Sequence, residues 1–114
     1  MMLNWNVLTD IVQLDNIKEK SFKKPQVLFK HSTRCGLSSV AFKRIEKASN
    51  IPDADFHFLD LISFRKISDK ISDEFAVYHQ SPQILLIRNG ACVYNESHLG
   101  IDLHELNEQI FSVN

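Results

Sequence analysis

The chain lacks most of the residues that announce an architecture unaided. Its 114 residues include only two cysteines, Cys35 and Cys92, too few for a disulfide framework. Neither has another cysteine within a few residues, and His31, His57, His79, His98 and His104 are dispersed. No zinc-ligand spacing emerges, and no metal site is expected. No stretch approaches the roughly 20 apolar residues needed to span a bilayer. The N-terminus also lacks a basic-then-apolar leader pattern. The formal net charge is −1, which removes any global electrostatic argument for nucleic acid or a membrane surface as partner. Lys20, Lys23 and Lys24 cluster before Pro25, and a solvated helix end accounts for them. Repeats and low-complexity segments are absent. The sparse cysteines fit a reducing, cytoplasmic setting, and a monomer is expected.

What is present is ordinary for a globular protein: 44% hydrophobic and 24% charged residues. At this length residues 1–114 form a single domain, able to bury about two-thirds of its unfolded surface.

Apolar periodicity then orders the elements. Trp5 to Leu8 reads as a short edge strand. Asp10 and Gln13 form a capping box for a first helix near residues 10–21, with Ile11, Leu14 and Ile17 at helical spacing. Gln26-Val27-Leu28-Phe29 is a run of buried-strand type. Leu37, Val40, Ala41, Ile45 and Ala48 predict a second helix running to about Asn50, before Ile51-Pro52. Phe56 to Leu61 is the next strand, and Ser63 is the expected cap of a helix carrying Ile67, Ile71 and Phe75. Ser81-Pro82 breaks the chain ahead of strand Ile84 to Ile87. Asn89-Gly90 is a strong hairpin signal leading into Cys92 to Asn95, because a type I′ turn needs two positive φ angles. Asp102 and Glu105 form a second capping box, with Ile101 and Leu106 at staple positions and Leu103, Leu106 and Ile110 as the apolar stripe.

From Gln26 the order is strand, helix, strand, helix, strand, hairpin, strand, helix. A right-handed crossover makes the first two strands parallel, and the hairpin makes the last pair antiparallel. This is an α/β, thioredoxin-like fold, a mixed central sheet flanked by helices.

Cys35 falls where the first buried strand gives way to the second helix, directly after Arg34. Unpaired N–H groups and the dipole of a helix N-terminus favour an anion, and the thiolate is the form that attacks disulfides. Cys35 is therefore the candidate nucleophile. Ser38 stands three residues later, where a dithiol redox protein carries its second cysteine, so the site has one sulfur. Cys92 is not its partner. It lies just beyond the Asn89-Gly90 turn, and Pro82 marks the far end of the strand before that turn, about 20 Å away, whereas a disulfide needs Cα atoms within about 7 Å. Cys92 is expected to pack within its strand.

Lys30-His31-Ser32-Thr33-Arg34-Cys35-Gly36-Leu37-Ser38, Ser81-Pro82-Gln83 and Glu96-Ser97-His98 together resemble the YtxJ-like monothiol bacilliredoxins. The likeness extends from about Leu8 to Ile110. Family members often carry threonine before and proline after the cysteine, where this chain has Arg34 and Gly36. The resemblance implies a thioredoxin-fold oxidoreductase with no bound cofactor, using bacillithiol as thiol co-substrate. Cys35 would attack the mixed disulfide between bacillithiol and a client protein, release the client reduced, and hold the bacillithiol for an external thiol. The alternatives are a monothiol glutaredoxin-like protein serving glutathione or another small thiol, and a non-catalytic adaptor that binds partners in the Ser81-Pro82 groove. Iron–sulfur cluster carriage is weaker, since Cys35-Gly36-Leu37-Ser38 differs from the Cys-Gly-Phe-Ser site of monothiol glutaredoxins.

The resemblance also implies supporting roles. Pro82 is expected to be cis and to lie against Cys35, with the Ser81 backbone facing the substrate disulfide; a trans, strand-initiating proline is the plainer alternative. Arg34 would grip the carboxylates of bacillithiol, or is a solvated loop charge. Gly36 and Ser38 complete the substrate-binding set; Ser38 is either a donor to the thiolate or a first-turn helix residue. His98 should return to the rim of a shallow groove shared with Cys35 and Ser81, or is an ordinary surface histidine. His31 is expected to pack or hydrogen-bond at the strand end.

Overall fold

A mixed sheet with strand order β1-β3-β2-β4-β5 forms the centre of the protein. The structure is a computed structural model, and it describes residues 3–47 and 52–112. In chain order its elements are β1 (Trp5–Val7), α1 (Val12–Lys20), β2 (Gln26–His31), α2 (Gly36–Glu46), β3 (Asp55–Asp60), α3 (Arg65–Phe75), β4 (Gln83–Arg88) and β5 (Ala91–Ser97). A 3₁₀ turn (His98–Gly100) and α4 (Leu103–Phe111) follow. β3 pairs parallel with β1 and β2, while β4 is antiparallel to both β2 and β5. The β2, β3, β4, β5 portion matches the expected topology, and Trp5–Val7 adds the expected edge strand.

Alternation along β2 divides the core in two. Val27 and Phe29 join Ala41 and Ile45 of α2 and Leu103, Leu106 and Ile110 of α4 on one face. Leu28 joins Leu14 and Ile17 of α1 and Ile67, Ile71 and Phe75 of α3 on the other. Burying side chains of this size stabilises by about 1.5–3 kcal/mol each. Apolar burial on both faces is therefore the main force holding β2 at the centre of the sheet. Trp5 seals the α2 face, lying edge-on to Phe56 with ring centroids 5.7 Å apart.

The helix starts refine the reading of the sequence. At α1 the capping box forms: Asp10 Oδ1 accepts the Val12 N–H at 3.0 Å and Gln13 Oε1 accepts the Asp10 N–H at 2.9 Å. At α4 only half of the box exists. Asp102 Oδ1 accepts the His104 N–H, but Glu105 accepts from Gln109 instead. Ile101 and Leu106 are both fully buried, as the staple requires. Ser63 does not cap α3. Its hydroxyl donates to Asp60 Oδ2 at 2.9 Å, and Asp60 Oδ1 accepts the Ile62 and Ser63 N–H groups, so the acidic residue at the end of β3 organises the turn.

The buried stripe of α2 is also rotated from the expected one. Leu37 and Val40 are 41% and 48% exposed, whereas Ser38, Ala41 and Ile45 face inward. The helical period was legible, but its phase is set by the polar anchor at Ser38. Ala48, Asn50 and Ile51, used in the reading of that helix end, lie outside the described residues.

Candidate active site around Cys35

Cys35 is the N-cap of α2, in an extended conformation (φ −112°, ψ 117°), with no capping hydrogen bond from its side chain. Its carbonyl accepts the N–H groups of Ser38 and Ser39 at 3.1 and 3.3 Å, which opens the helix. The first N–H groups of α2 have no carbonyl within the helix to accept them. The thiol is half-buried and Arg34 beside it is exposed. A Cβ placed on Gly36 would meet nothing within 4 Å outside its chain neighbours, so the surface at Gly36 is open.

The turn leading to Cys35 is braced from below. Cys35 N–H donates to the Ser32 carbonyl at 3.2 Å, and Arg34 N–H donates to Ser32 Oγ at 3.4 Å. Ser38 is fully buried. Its Oγ accepts the Ser32 N–H at 3.0 Å and lies 2.8 Å from His31 Nδ1. Burial lowers the His31 pKa against the opposing pull of Asp60 and of the Ser38 backbone, which favours a neutral ring. Ser38 then donates its proton to Nδ1, an assignment made from the bonding pattern. The hydroxyl is committed to strand and turn. It holds the Cys35 loop in place but is closed to solvent, so it does not form part of a substrate-facing surface. His31 itself stacks on Phe29 and packs against Phe42 and Phe58 with ring centroids 5.3–6.0 Å apart.

On the other side of β2, the Ser81–Pro82 peptide is cis. Gln83 pairs with Lys30, which sets Pro82 at the same sheet edge as the turn from His31 to Cys35. Pro82 is buried and Ser81 half-buried; Ser81 Oγ is shielded and makes no hydrogen bond to the described residues. The Pro82 carbonyl accepts the His98 N–H at 3.0 Å. His98 lies just past β5 rather than in it, with φ at +56°, and its side chain is exposed. Arg44 Nη1 donates to the Leu99 carbonyl at 3.2 Å, tying this turn to α2. Arg34, Cys35, Gly36, Ser81, Pro82 and His98 thus share one edge of the sheet, and Ser38 lies beneath it.

Cys92 belongs elsewhere. It pairs with Ile87 beside the Asn89–Gly90 turn, at the end of β4 opposite Pro82. Its Sγ donates to the Tyr94 carbonyl at 3.3 Å. Burial pushes its thiol up, against the bonds to Tyr94 and Leu86.

Sequence reasoning overlooked one buried group near the site. Lys30, read only as part of a motif, is fully buried. The available signal was a lysine directly continuing the apolar run of β2. Among the described residues no group of three or more His, Cys, Asp or Glu side chains is placed to hold a metal ion. No helix there is long and apolar enough to cross a membrane.

The arrangement, one sulfur at a helix entry and a cis-proline at the same end of the sheet, is suited to thiol–disulfide exchange, which needs an accessible thiolate and little other apparatus. Comparisons with known proteins agree. A solved structure described as having a thioredoxin fold superposes with a TM-score of 0.80 at 30% identity, covering 91% of each chain. Thioredoxin O2 from Arabidopsis thaliana gives a TM-score of 0.74 at 19% identity, over 95% of each chain. The thioredoxin of Fasciola hepatica gives 0.67 at 20% identity, over 92% of this chain and 95% of that one. The model of the family described as monothiol bacilliredoxin BrxC matches residues 6–106. With its fold, its single sulfur at the head of α2 and a match over nearly its whole length, this chain belongs to the monothiol bacilliredoxin family, a group of thioredoxin-fold redox proteins.

Proposed function

We propose that the protein removes bacillithiol from client proteins, acting as a monomer in a reducing cytoplasm. The observation that carries this reading is the burial of Ser38 at the position of a resolving cysteine, with its hydroxyl committed to His31 and Ser32. A site built this way can take up a small thiol but has no second sulfur to expel it. In the forward step the Cys35 thiolate attacks the bacillithiol sulfur of a client mixed disulfide. The Cys35–bacillithiol S–S bond forms, the client–bacillithiol S–S bond breaks, and the client sulfur leaves as a thiolate that takes a proton from water. An external thiol then attacks the bacillithiol sulfur and returns Cys35 to the thiolate, leaving as a mixed disulfide with bacillithiol. The exposed guanidinium of Arg34 and the space beside Gly36 suit a partner that carries carboxylates.

The test is intact mass after separate incubation with oxidised bacillithiol and oxidised glutathione. The expected result is a bacillithiol adduct on Cys35 forming well ahead of the glutathione adduct. Equal or preferred glutathionylation would transfer the site to another small thiol, and no adduct with either would end the exchange mechanism.

A further inference from the structure

Lys30 is an unexpected residue in the interior of a sheet. It lies on the Leu28 face of β2, among apolar side chains, and is fully buried. Lysine is almost never buried to this extent unless its ammonium is paired, because an unpaired charge in the interior costs several kcal/mol. Here Nζ donates to His79 Nδ1 at 2.7 Å and to Gln83 Oε1 at 3.1 Å. Asp69 and Arg65 of α3 act on it with opposite signs, and burial lowers its pKa to about 8. His79 is lowered too, first by burial and then by Lys30 and Arg65, against Asp69. A charged lysine donating to a neutral imidazole fits both shifts.

The partners matter because of where they sit. Gln83 Oε1 also accepts the Gln80 N–H at 3.4 Å, and its Nε2 donates to the Tyr78 carbonyl at 3.0 Å. Tyr78, His79 and Gln80 are therefore all fastened, directly or through Gln83, to one buried ammonium. These residues immediately precede Ser81 and Pro82. Without that anchor, the segment would rest on α3 through Val77 N–H to the Ser72 carbonyl at 3.2 Å and a marginal 3.5 Å contact of His79 with Ser68.

We propose that Lys30 is a positioning residue for the Cys35 site: through His79 and Gln83 it holds the 78–83 segment, and with it the Ser81–Pro82 backbone, in register with the strand that leads to Cys35. His31 and Ser38 brace the cysteine turn from the α2 face of the sheet, and Lys30 braces the proline turn from the α3 face. This role rests on the reading of Cys35 as the exchanging thiol, because the Ser81 backbone meets a disulfide substrate and not a small alkylating agent.

Two reactions of the full-length protein separate positioning from thiol reactivity: exchange with a cysteine peptide carrying bacillithiol, and alkylation of Cys35 by iodoacetamide. Small misplacements of reacting groups are costly, so Lys30→Met should lower exchange about tenfold. Alkylation should stay within about twofold, because it needs only the thiolate. Lys30→Arg, which keeps charge and donors, should recover most of the exchange rate. His79→Ala removes one of the two partners of the ammonium and should lower exchange about threefold, with alkylation again within about twofold. A Lys30→Met protein that keeps the wild-type ratio of exchange to alkylation would overturn the proposal. So would equal losses in Lys30→Met and Lys30→Arg, which would make side-chain volume the cause. Should Lys30→Met fail to fold, an unchanged ratio in His79→Ala is the overturning result. If the wild-type protein forms no adduct with the peptide, the exchange reading itself fails. Lys30 is then judged by amide hydrogen exchange across residues 78–83: faster exchange in His79→Ala supports the anchor, and unchanged exchange refutes it.

Discussion

The two ends of β2 are built on opposite principles. At its start, Gln26 is fully buried and every polar atom of its side chain is used. Nε2 donates to Asp55 Oδ2 at 2.8 Å and to the Lys24 carbonyl at 3.1 Å, while Oε1 lies 2.8 Å from His57 Nε2. Lys24 closes the cluster with an ion pair to Asp55 at 3.3 Å. Cys92 lies near this end, its S–H given to a backbone carbonyl. At the other end the strand leaves the sheet into the Cys35 turn. There the thiol makes no capping bond, Ser81 Oγ has no partner among the described residues, and Arg34 and His98 are exposed. One end is saturated and holds the fold; the other has unused bonding capacity, as the proposed exchange site requires. Two cysteines in one small chain therefore differ in environment because of the strand end each occupies.

The contrast breaks first on the cysteines. Cys35→Ser should reduce exchange with a mixed-disulfide client to the uncatalysed rate, whereas Cys92→Ser should leave it within about twofold, since only an accessible thiolate reacts. Stopped-flow or gel assays of client release check this. Equal losses, or a Cys35–Cys92 disulfide found by mass spectrometry, would erase the distinction between the ends.

The saturated end should reveal itself in acid. Burial lowers His57 from 6.5 to about 4, the effect of Asp55 opposing it and that of Lys20 adding to it. Between those values the unfolded chain binds a proton that the folded chain refuses. Stability is therefore complete above pH 6.5 and falls as the pH drops toward 4, by on the order of 3 kcal/mol. Urea midpoints from pH 7 to pH 4 should show this slope in the wild-type protein and a flatter one in His57→Gln. An identical slope in the variant would remove His57 from the account.

A smaller effect should sharpen the picture of the site end. Ser38→Ala strands the buried Ser32 N–H and the His31 ring nitrogen, at a cost of about 1–3 kcal/mol in denaturant stability. No loss of stability would mean that the bracing beneath Cys35 is redundant. The smallest effects belong to the rim. Arg34→Ala and His98→Ala, both exposed, should each change stability by less than about 0.5 kcal/mol while slowing bacillithiol transfer onto Cys35. Unchanged transfer in both would leave Cys35 and the Ser81–Pro82 backbone as the whole working surface.

Much of this was legible in the chain because it rests on local rules. The continuous apolar runs of β2 and β4, the positive φ angles at Asn89 and Gly90 (55° and 79°) and the Asp10–Gln13 box each depend on residues close together in sequence. The misread features turn on polar contacts that apolar periodicity does not report. Ser63 gives its hydroxyl to Asp60 instead of capping α3, and α2 turns so that Ser38, bonded to Ser32 and His31, faces inward rather than Leu37. These partners are near in sequence, and only the folded backbone decides which nearby polar groups bond.

The sequence by itself determined the strand and helix order, the single sulfur at the head of α2 and the separation of Cys92 from it, since spacing and periodicity are properties of the chain. Tertiary structure alone decided that Lys30 is buried against His79 and Gln83, residues 49 and 53 positions away. It also decided that the Pro82 carbonyl receives the His98 N–H. A hydrogen bond acts over about 3 Å, and no pattern in a linear chain states which distant donors and acceptors folding will bring that close.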